Sequence, residues 1–189
     1  MDKSSIFGSM KYVDISLLAK YVGLSVISKG ERISPLKLQK LLYYIQSWHM
    51  VLMKSVEECL FEDVPEAWVN GPVYPSIYKE YKGKVNGMCD YLSSSDFGAN
   101  QEEDILETIS KIYSELGLNE NQARIIDSVI TLYGTKSQNE LIFMTHSEKP
   151  WSEARGDLLP FEKSENKISL ETMYSYYKER YDRNRQTNA

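Results

Sequence analysis

Polar and apolar side chains alternate with helical spacing in the segment that follows Ser34. Ser34 can accept a hydrogen bond from the first turn of a helix, and Pro35 suits that turn because its missing N–H is not needed there. The stripe on one side of this segment comprises Leu38, Leu41, Leu42, Ile45, His49 and Leu52. Because such a stripe must face a core, the pattern predicts a core helix over residues 34–48, with the period fading after Met53.

Capping signals predict further helices on both sides of this one. Asp14 can cap a helix over Ile15–Ser28, and Gly30 follows the end of that helix as a stop. A short helix is predicted after Pro75, and a last helix near residues 170–181. Three pairs in the second half are spaced as capping boxes: Asn100 with Glu103, Asn119 with Gln122, and Ser137 with Glu140.

The stretch 61–73 lacks the helical period. Pro65 restricts it to an edge or irregular strand, and Asn70-Gly71-Pro72 is a strong turn signal. The chain is therefore predicted to be mainly α (α+β), with about six to eight helices and a small irregular β element around 61–73. We expect one domain over residues 11–182, a flexible arm over 1–10 and a frayed polar tail over 183–189.

Composition places the chain among ordinary globular proteins. It has 189 residues, of which 42% are hydrophobic and 26% are charged, with a net charge of −5. An acidic balance disfavours general nucleic-acid binding, which needs a basic surface. Cys59 and Cys89 are too few for a disulfide framework, and we find neither a signal peptide nor a membrane-spanning run. The expected location is cytoplasmic, without membrane contact.

Candidate catalytic groups are sparse. His49 and His146 are the two histidines, and neither cysteine lies in a short metal-binding spacing, so we expect no metal and no cofactor. His146 lies beside the Pro150-Trp151 corner, where it either hydrogen-bonds a backbone group or acts as an acid or base. A hydrolase that uses His146 with a carboxylate or with Cys89 is therefore an alternative hypothesis.

Charged side chains suggest two further surfaces. Lys37 and Lys40 lie on the predicted polar side of the core helix, and that helix with its predecessor resembles a helix-turn-helix. A DNA-binding autoregulator is the second alternative, which the acidic balance disfavours. Residues 57–66 concentrate acidic side chains, which either form a solvated edge or dock a basic partner.

Three blocks in a fixed order resemble a known family. They are LKLQKLLYY at 36–44, then AW at 67–68 with GPVYP at 71–75 and Tyr78, and finally THSEKPW at 145–151. Ile168 and the pair Tyr176-Tyr177 follow in a last helix. Together these blocks resemble the Panacea antitoxin domain, a SocA-like family that also contains phage-associated proteins of the GepA type. The resemblance runs from about residue 13 to 177.

The resemblance implies a bacterial or prophage antitoxin that neutralises a growth-arresting toxin, encoded nearby, by direct protein–protein binding. It implies no catalytic residues. The further partner under this hypothesis is a second copy of the chain, in a homo-oligomer. The motif positions are interpreted as scaffold residues: Leu38, Leu41, Tyr44, Trp68, Gly71, Pro72, His146, Pro150 and Trp151.

The toxin-contact surface is predicted beside this scaffold motif. Aromatic side chains on a short helix after a rigid turn can be presented to a partner with little loss of conformational entropy. The predicted contact residues are Tyr74, Tyr78 and Tyr81, together with Lys37 and Lys40 on the neighbouring helix.

Overall fold

Helix α2 (Pro35–Met53) lies at the centre of the fold. The computed structural model describes residues 12–87, 89–100 and 104–187. Sixteen of the 19 residues of α2 are buried, so the helix is covered on every side. Ser34 caps it by accepting a hydrogen bond from the Lys37 N–H, as predicted. Leu52 is 41% exposed, so the predicted apolar stripe ends one turn earlier than expected.

Seven other α-helices in the described residues surround α2. They are α1 (Ile15–Ser28), α3 (Pro75–Tyr81), α4 (Ile105–Leu116), α5 (Glu120–Tyr133), α6 (Gln138–His146), α7 (Lys149–Arg155) and α8 (Leu170–Thr187). Helices α1, α3, α5, α6 and α8 pack directly on α2, whereas α4 packs on α1. The predicted mainly α fold of six to eight helices is confirmed.

A two-stranded antiparallel sheet interrupts the helices. Strand β1 (Glu66–Trp68) pairs with β2 (Gly71–Val73), and Ala67 lies opposite Pro72. The incoming chain before α8 covers the outer edge of β1, because the Ala67 N–H donates to the Asn166 carbonyl at 2.8 Å. The small β element predicted around 61–73 is confirmed, with its strands beginning at Glu66.

Local capping signals agree with the helix ends. Asp14 caps α1, and capping boxes at Asn119/Gln122 and Ser137/Glu140 begin α5 and α6. The Asn100/Glu103 pair lies partly outside the described residues, because 101–103 are not among them. Helix α8 continues through Thr187, beyond the predicted tail boundary at 183. The predicted arm over 1–10 and residues 188–189 also lie outside the described part, and the single domain over 11–182 stays a prediction.

No helix in the described part of the chain is both long enough and apolar enough to cross a bilayer.

Candidate functional site

Two side chains of α2 hold the backbone of the β-hairpin. The Lys40 amine donates to the Pro72 carbonyl oxygen at 2.9 Å. One residue earlier, the Gln39 carbonyl oxygen accepts from the Tyr74 N–H at 2.8 Å, and its amide donates back to the Tyr74 carbonyl at 3.5 Å. These bonds fix β2 against the core helix, because they satisfy buried backbone groups that no strand pairs with.

Gly71 is required at the hairpin turn because of its backbone conformation and because no room is left there for a side chain. Its φ is +94°, in the region that L side chains rarely adopt. A Cβ at this position would lie 2.8 Å from Lys40 Cε and 2.8 Å from Thr145 Oγ1. The turn therefore packs directly onto α2 and α6, which explains why a glycine follows Asn70.

The corner between α6 and α7 holds the other side of the hairpin. The His146 ring stacks on the Trp151 ring, with centroids 4.0 Å apart and planes inclined by 14°. The Trp151 indole N–H donates to the Trp68 carbonyl at 2.9 Å, which fixes this corner to the end of β1. Pro150 is buried in the first turn of α7. His146 thus supports the corner by ring stacking, and its buried Nε2 has no hydrogen-bond partner among the described residues.

Arg155, which the sequence did not single out, completes this arrangement. Its buried guanidinium donates to the carbonyl oxygens of Ala67 at 3.1 Å, Leu159 at 2.7 Å and Glu162 at 2.9 Å. The planar fork can reach several carbonyls at once, which a lysine amine cannot do with the same geometry. The signal in the sequence was its position one helical turn after Trp151. We call Gln39, Lys40, His146, Trp151 and Arg155 the hairpin clamp.

A second buried network connects α7, α2 and α8. Glu148 is 4% exposed, and its carboxylate accepts from Tyr177 Oη at 2.5 Å, Tyr44 Oη at 3.2 Å and Arg180 Nη1 at 3.2 Å. Burial raises the pKa of Glu148 to about 7, although the hydrogen bonds from Tyr177 and Arg180 favour the ionised form. The sequence marked Tyr44 as scaffold but missed Glu148, whose partners lie far along the chain.

Burial lowers the pKa values of two titratable groups in the hairpin clamp, Lys40 and His146. Lys40 is fully buried, and this burial lowers its pKa to about 7 because a charged amine loses its hydration. Burial lowers the pKa of His146 as well, and the nearby charge of Lys40 adds to that effect. Burial therefore shifts both groups towards their neutral forms relative to exposed side chains.

The structure places most of the predicted toxin-contact residues inside the protein. Lys40, Tyr74 and Tyr81 are at most 1% exposed, and Lys37 is 4% exposed. The prediction that both lysines lie on a polar face of α2 is wrong, because β2 and α6 cover that face. Tyr78 is only half-buried, and its ring packs edge-on against Trp68 at 4.7 Å.

Tyr78 and Trp68 line a groove beside the hairpin. The groove has a volume of about 420 Å³ and a largely apolar wall. We call it the aromatic groove; it is lined by Leu36, Trp68, Val69, Asn70, Val73, Tyr78 and the segment Lys163, Ser164 and Glu165. Since Lys163 and Glu165 are exposed at its margin, the groove combines an apolar floor with a polar rim.

The predicted Cys89–His146 pair is not brought together. The Cys89 thiol accepts from the Gln138 amide at 3.1 Å, at the start of α6, whereas His146 ends that helix. Eight residues of helix separate the two ends by about 12 Å. In the described part of the chain, no three His, Cys, Asp or Glu side chains are grouped as a metal site would require.

The burial of α2 also tests the alternative that this protein is a DNA-binding autoregulator. A recognition helix must present an exposed face to the major groove of DNA. Lys37 and Lys40, the charged groups on which this alternative rested, are both buried, and so is Gln39 between them. The predicted helix-turn-helix use of α2 is therefore wrong.

These contacts define a mainly α scaffold protein whose central helix and α6–α7 corner clamp a small hairpin. A family model described as the antitoxin SocA-like, Panacea domain matches residues 38–152, more than half of the chain. The chain therefore belongs to the SocA-like antitoxin family, and the resemblance seen in the sequence is confirmed. No curated protein and no solved structure matched the chain.

Proposed function

We propose that this protein is the antitoxin of a bacterial or prophage toxin–antitoxin pair, and that it neutralises a growth-arresting toxin by direct protein–protein binding in the cytoplasm. The observation that carries the proposal is the family match over residues 38–152. That match includes the segments that build the hairpin and most of its clamp. A protein that acts by binding needs a rigid scaffold and an exposed anchor surface rather than a reactive centre.

The burial of the motif separates scaffold from contact surface. Leu38, Leu41 and Tyr44 are completely buried, and Gly71 and Pro72 are buried in the hairpin. Such residues cannot touch a partner unless the fold opens. The buried motif positions therefore form the scaffold, and contact is left to half-buried motif residues such as Trp68 and Tyr78 and to the exposed residues around them.

The aromatic groove is the part of this scaffold best suited to receive a toxin side chain. Trp68 and Tyr78 are half-buried, so their positions are set by packing while part of each ring stays accessible. Aromatic anchors held in this way lose little entropy on binding. Of the predicted contact residues, Tyr78 keeps its proposed role, whereas Lys37, Lys40, Tyr74 and Tyr81 are reassigned to the scaffold.

Co-expression tests the proposal. The product of the adjacent gene is expressed in a bacterial host alone and with this protein, and growth and co-purification are measured. We expect arrest with the neighbour alone, recovery with the pair, and a stable complex. A neighbour that is harmless alone, or that still arrests growth with this protein present, contradicts the antitoxin role.

Substitution at Tyr78 tests the groove separately. Tyr78→Ala should weaken co-purification and neutralisation while the circular dichroism spectrum is unchanged. Tyr113→Ala is the matched control, because Tyr113 is a tyrosine on α4 that is 39% exposed and lies outside the groove. If the folded Tyr78→Ala variant protects as well as the Tyr113→Ala variant, the groove assignment fails while the antitoxin role stands.

A further inference from the structure

Helix α8 is a polar helix that relies on few buried side chains. Of its 18 residues, Met173 and Tyr177 are buried, and four others pack partly against the core: Leu170, Tyr174, Tyr176 and Tyr181. Its exposed side carries ion pairs within the helix, Lys178 with Asp182 and Glu179 with Arg183. Such pairs contribute little to tertiary attachment, since both partners leave with the helix.

Tyr177 and Arg180 provide the specific attachment of α8. Both donate to the buried carboxylate of Glu148 on the far side of the interface. The Tyr177 ring also packs edge-on against three rings of α2, at 6.1 Å from Tyr43, 6.1 Å from Tyr44 and 5.3 Å from Trp48. Met173 is also buried and Tyr174 Oη donates to the Lys54 carbonyl at 3.1 Å, so α8 contacts the core from Leu170 to Tyr181. Its hydrogen bonds to Glu148 come from the single turn between Tyr177 and Arg180.

The chain before α8 is anchored independently. The Ile168 N–H donates to the Pro65 carbonyl at 2.7 Å, and the Ile168 side chain is fully buried. The last backbone bond to the hairpin thus lies two residues before α8 begins at Leu170. A hinge at Ser169 would let the helix move without disturbing the hairpin or its clamp.

We propose that α8 is a releasable strap, which swings away about Ser169 as one unit while α2, α5 and the hairpin stay folded. Regions with few buried apolar contacts open at lower free energy than the rest of a fold. Release uncovers the aromatic face of α2 formed by Tyr43, Tyr44 and Trp48. The protein then has a second state with a larger apolar surface than the closed one.

Release also returns Glu148 to water, which makes opening pH-dependent. The titratable groups that face it are Tyr43 and Tyr44 from α2, Tyr133 from α5, and Tyr176, Tyr177 and Arg180 from α8. Burial raises the pKa of each of these tyrosines, and Arg180 stays protonated, so Glu148 alone among them titrates near neutrality.

The sign of the pH effect follows from where Glu148 binds a proton. Burial raises its pKa to about 7 with α8 docked, and release removes that burial, which moves the pKa towards the ordinary 4.5. The docked state holds the proton more strongly between these values, so opening becomes more favourable as pH rises through this window. Lys40 also has a pKa near 7, but its hydrogen bond is to the hairpin, which stays folded during release.

Hydrogen exchange followed by mass spectrometry at pH 5.5 and pH 8, corrected for intrinsic exchange rates, tests the strap. We expect α8 peptides to open more readily than α5 peptides, and the ratio of their opening constants to rise more than about tenfold between the two pH values. Equal protection of α8 and α5 at both pH values overturns the proposal.

Three variants assign the effect to the Glu148 network. Glu148→Gln should remove the pH dependence of α8 opening, because the side-chain amide does not ionise between pH 5.5 and pH 8. Arg180→Gln should speed α8 exchange several-fold without changing α5. Arg183→Gln, on the exposed side of the same helix, is the control and should leave both unchanged. A pH dependence that persists in the Glu148→Gln variant, or equal effects of the two arginine changes, contradicts the assignment.

Discussion

The amine of Lys40 lies 2.9 Å from the carbonyl oxygen of Pro72, with the whole lysine side chain enclosed. This bond connects the central helix to the hairpin turn, two segments of the same family motif. Lysine supplies a donor at the end of a long apolar stem, so one side chain both fills the interior and satisfies a buried carbonyl. The LKLQK motif is thereby explained as structural.

Gly71→Ala should lower the free energy of unfolding by about 2–4 kcal/mol, for two reasons. The alanine backbone would be strained at the positive φ of this position, and its Cβ would displace Lys40 or Thr145. Urea denaturation followed by circular dichroism measures the change. Gly83→Ala is the control: a Cβ there meets nothing within 4 Å, and we expect a change within about 0.5 kcal/mol. Equal stability of the two variants would show that the turn is not packed as described.

Lys40→Met should change how stability depends on pH. The unfolded chain holds the lysine proton up to about pH 10.5, whereas the folded chain releases it near pH 7. Wild-type stability therefore rises with pH between these values, by up to about 1.4 kcal/mol per pH unit, and the Met variant lacks this contribution. Urea titrations at pH 7 and pH 9 give the difference.

The matched control for this comparison is Lys111→Met, on the exposed face of α4. Its stability difference from wild type should be the same at both pH values. Lys40→Glu, which an exposed lysine would tolerate, should fail to fold because it buries a carboxylate against a carbonyl. A folded Lys40→Glu protein would contradict the burial of this side chain.

Tyr177→Phe should lower the free energy of unfolding by about 1.5–3 kcal/mol, because it removes the hydroxyl that donates a hydrogen bond to the buried Glu148 carboxylate. Tyr74→Phe removes a hydroxyl of an equally buried tyrosine, and that hydroxyl has no hydrogen-bond partner among the described residues. We expect this control to change stability by no more than about 0.5 kcal/mol. Thermal denaturation of both variants decides the matter, and similar losses would argue against the Glu148 network.

Arg155→Lys should loosen the loop that joins α7 to α8. A lysine amine cannot donate to all three carbonyls, of Ala67, Leu159 and Glu162. We therefore expect the free energy of unfolding to fall by about 2–4 kcal/mol. Limited trypsin digestion should show faster cleavage after Lys163 and Lys167. The control is Arg124→Lys, an exposed substitution on α5, which trypsin should cleave at the wild-type rate.

Local signals in the sequence were sufficient to predict most of the helices, although α7 (Lys149–Arg155) was not among them. Asp14, Ser34 and Ser137 each cap the helix that was predicted to follow, because a capping hydrogen bond involves residues only a few positions apart. The hairpin turn at Gly71 was predictable for the same reason. The family resemblance came from three short blocks, at 36–44, 67–78 and 145–151, each of which includes part of a helix.

The candidate site could be predicted only in part. Trp68, His146 and Trp151 were marked as scaffold, and they do meet at the hairpin. Glu148 and Arg155 were missed, because their partners lie far along the chain, as in the bond from Arg155 to Ala67. The aromatic groove depends on residues 163–165 folding beside Tyr78, which no periodicity indicates.

By itself, the sequence determined the class of fold, the ends of most helices and the family. Only the tertiary structure decided which polar side chains are enclosed. A lone amphipathic helix would expose Lys40 on its polar face, but β2 and α6 pack over that face and bury the amine. The reason is physical: helix formation depends on neighbouring residues, whereas burial of a charge depends on non-local packing that supplies its hydrogen-bond partners.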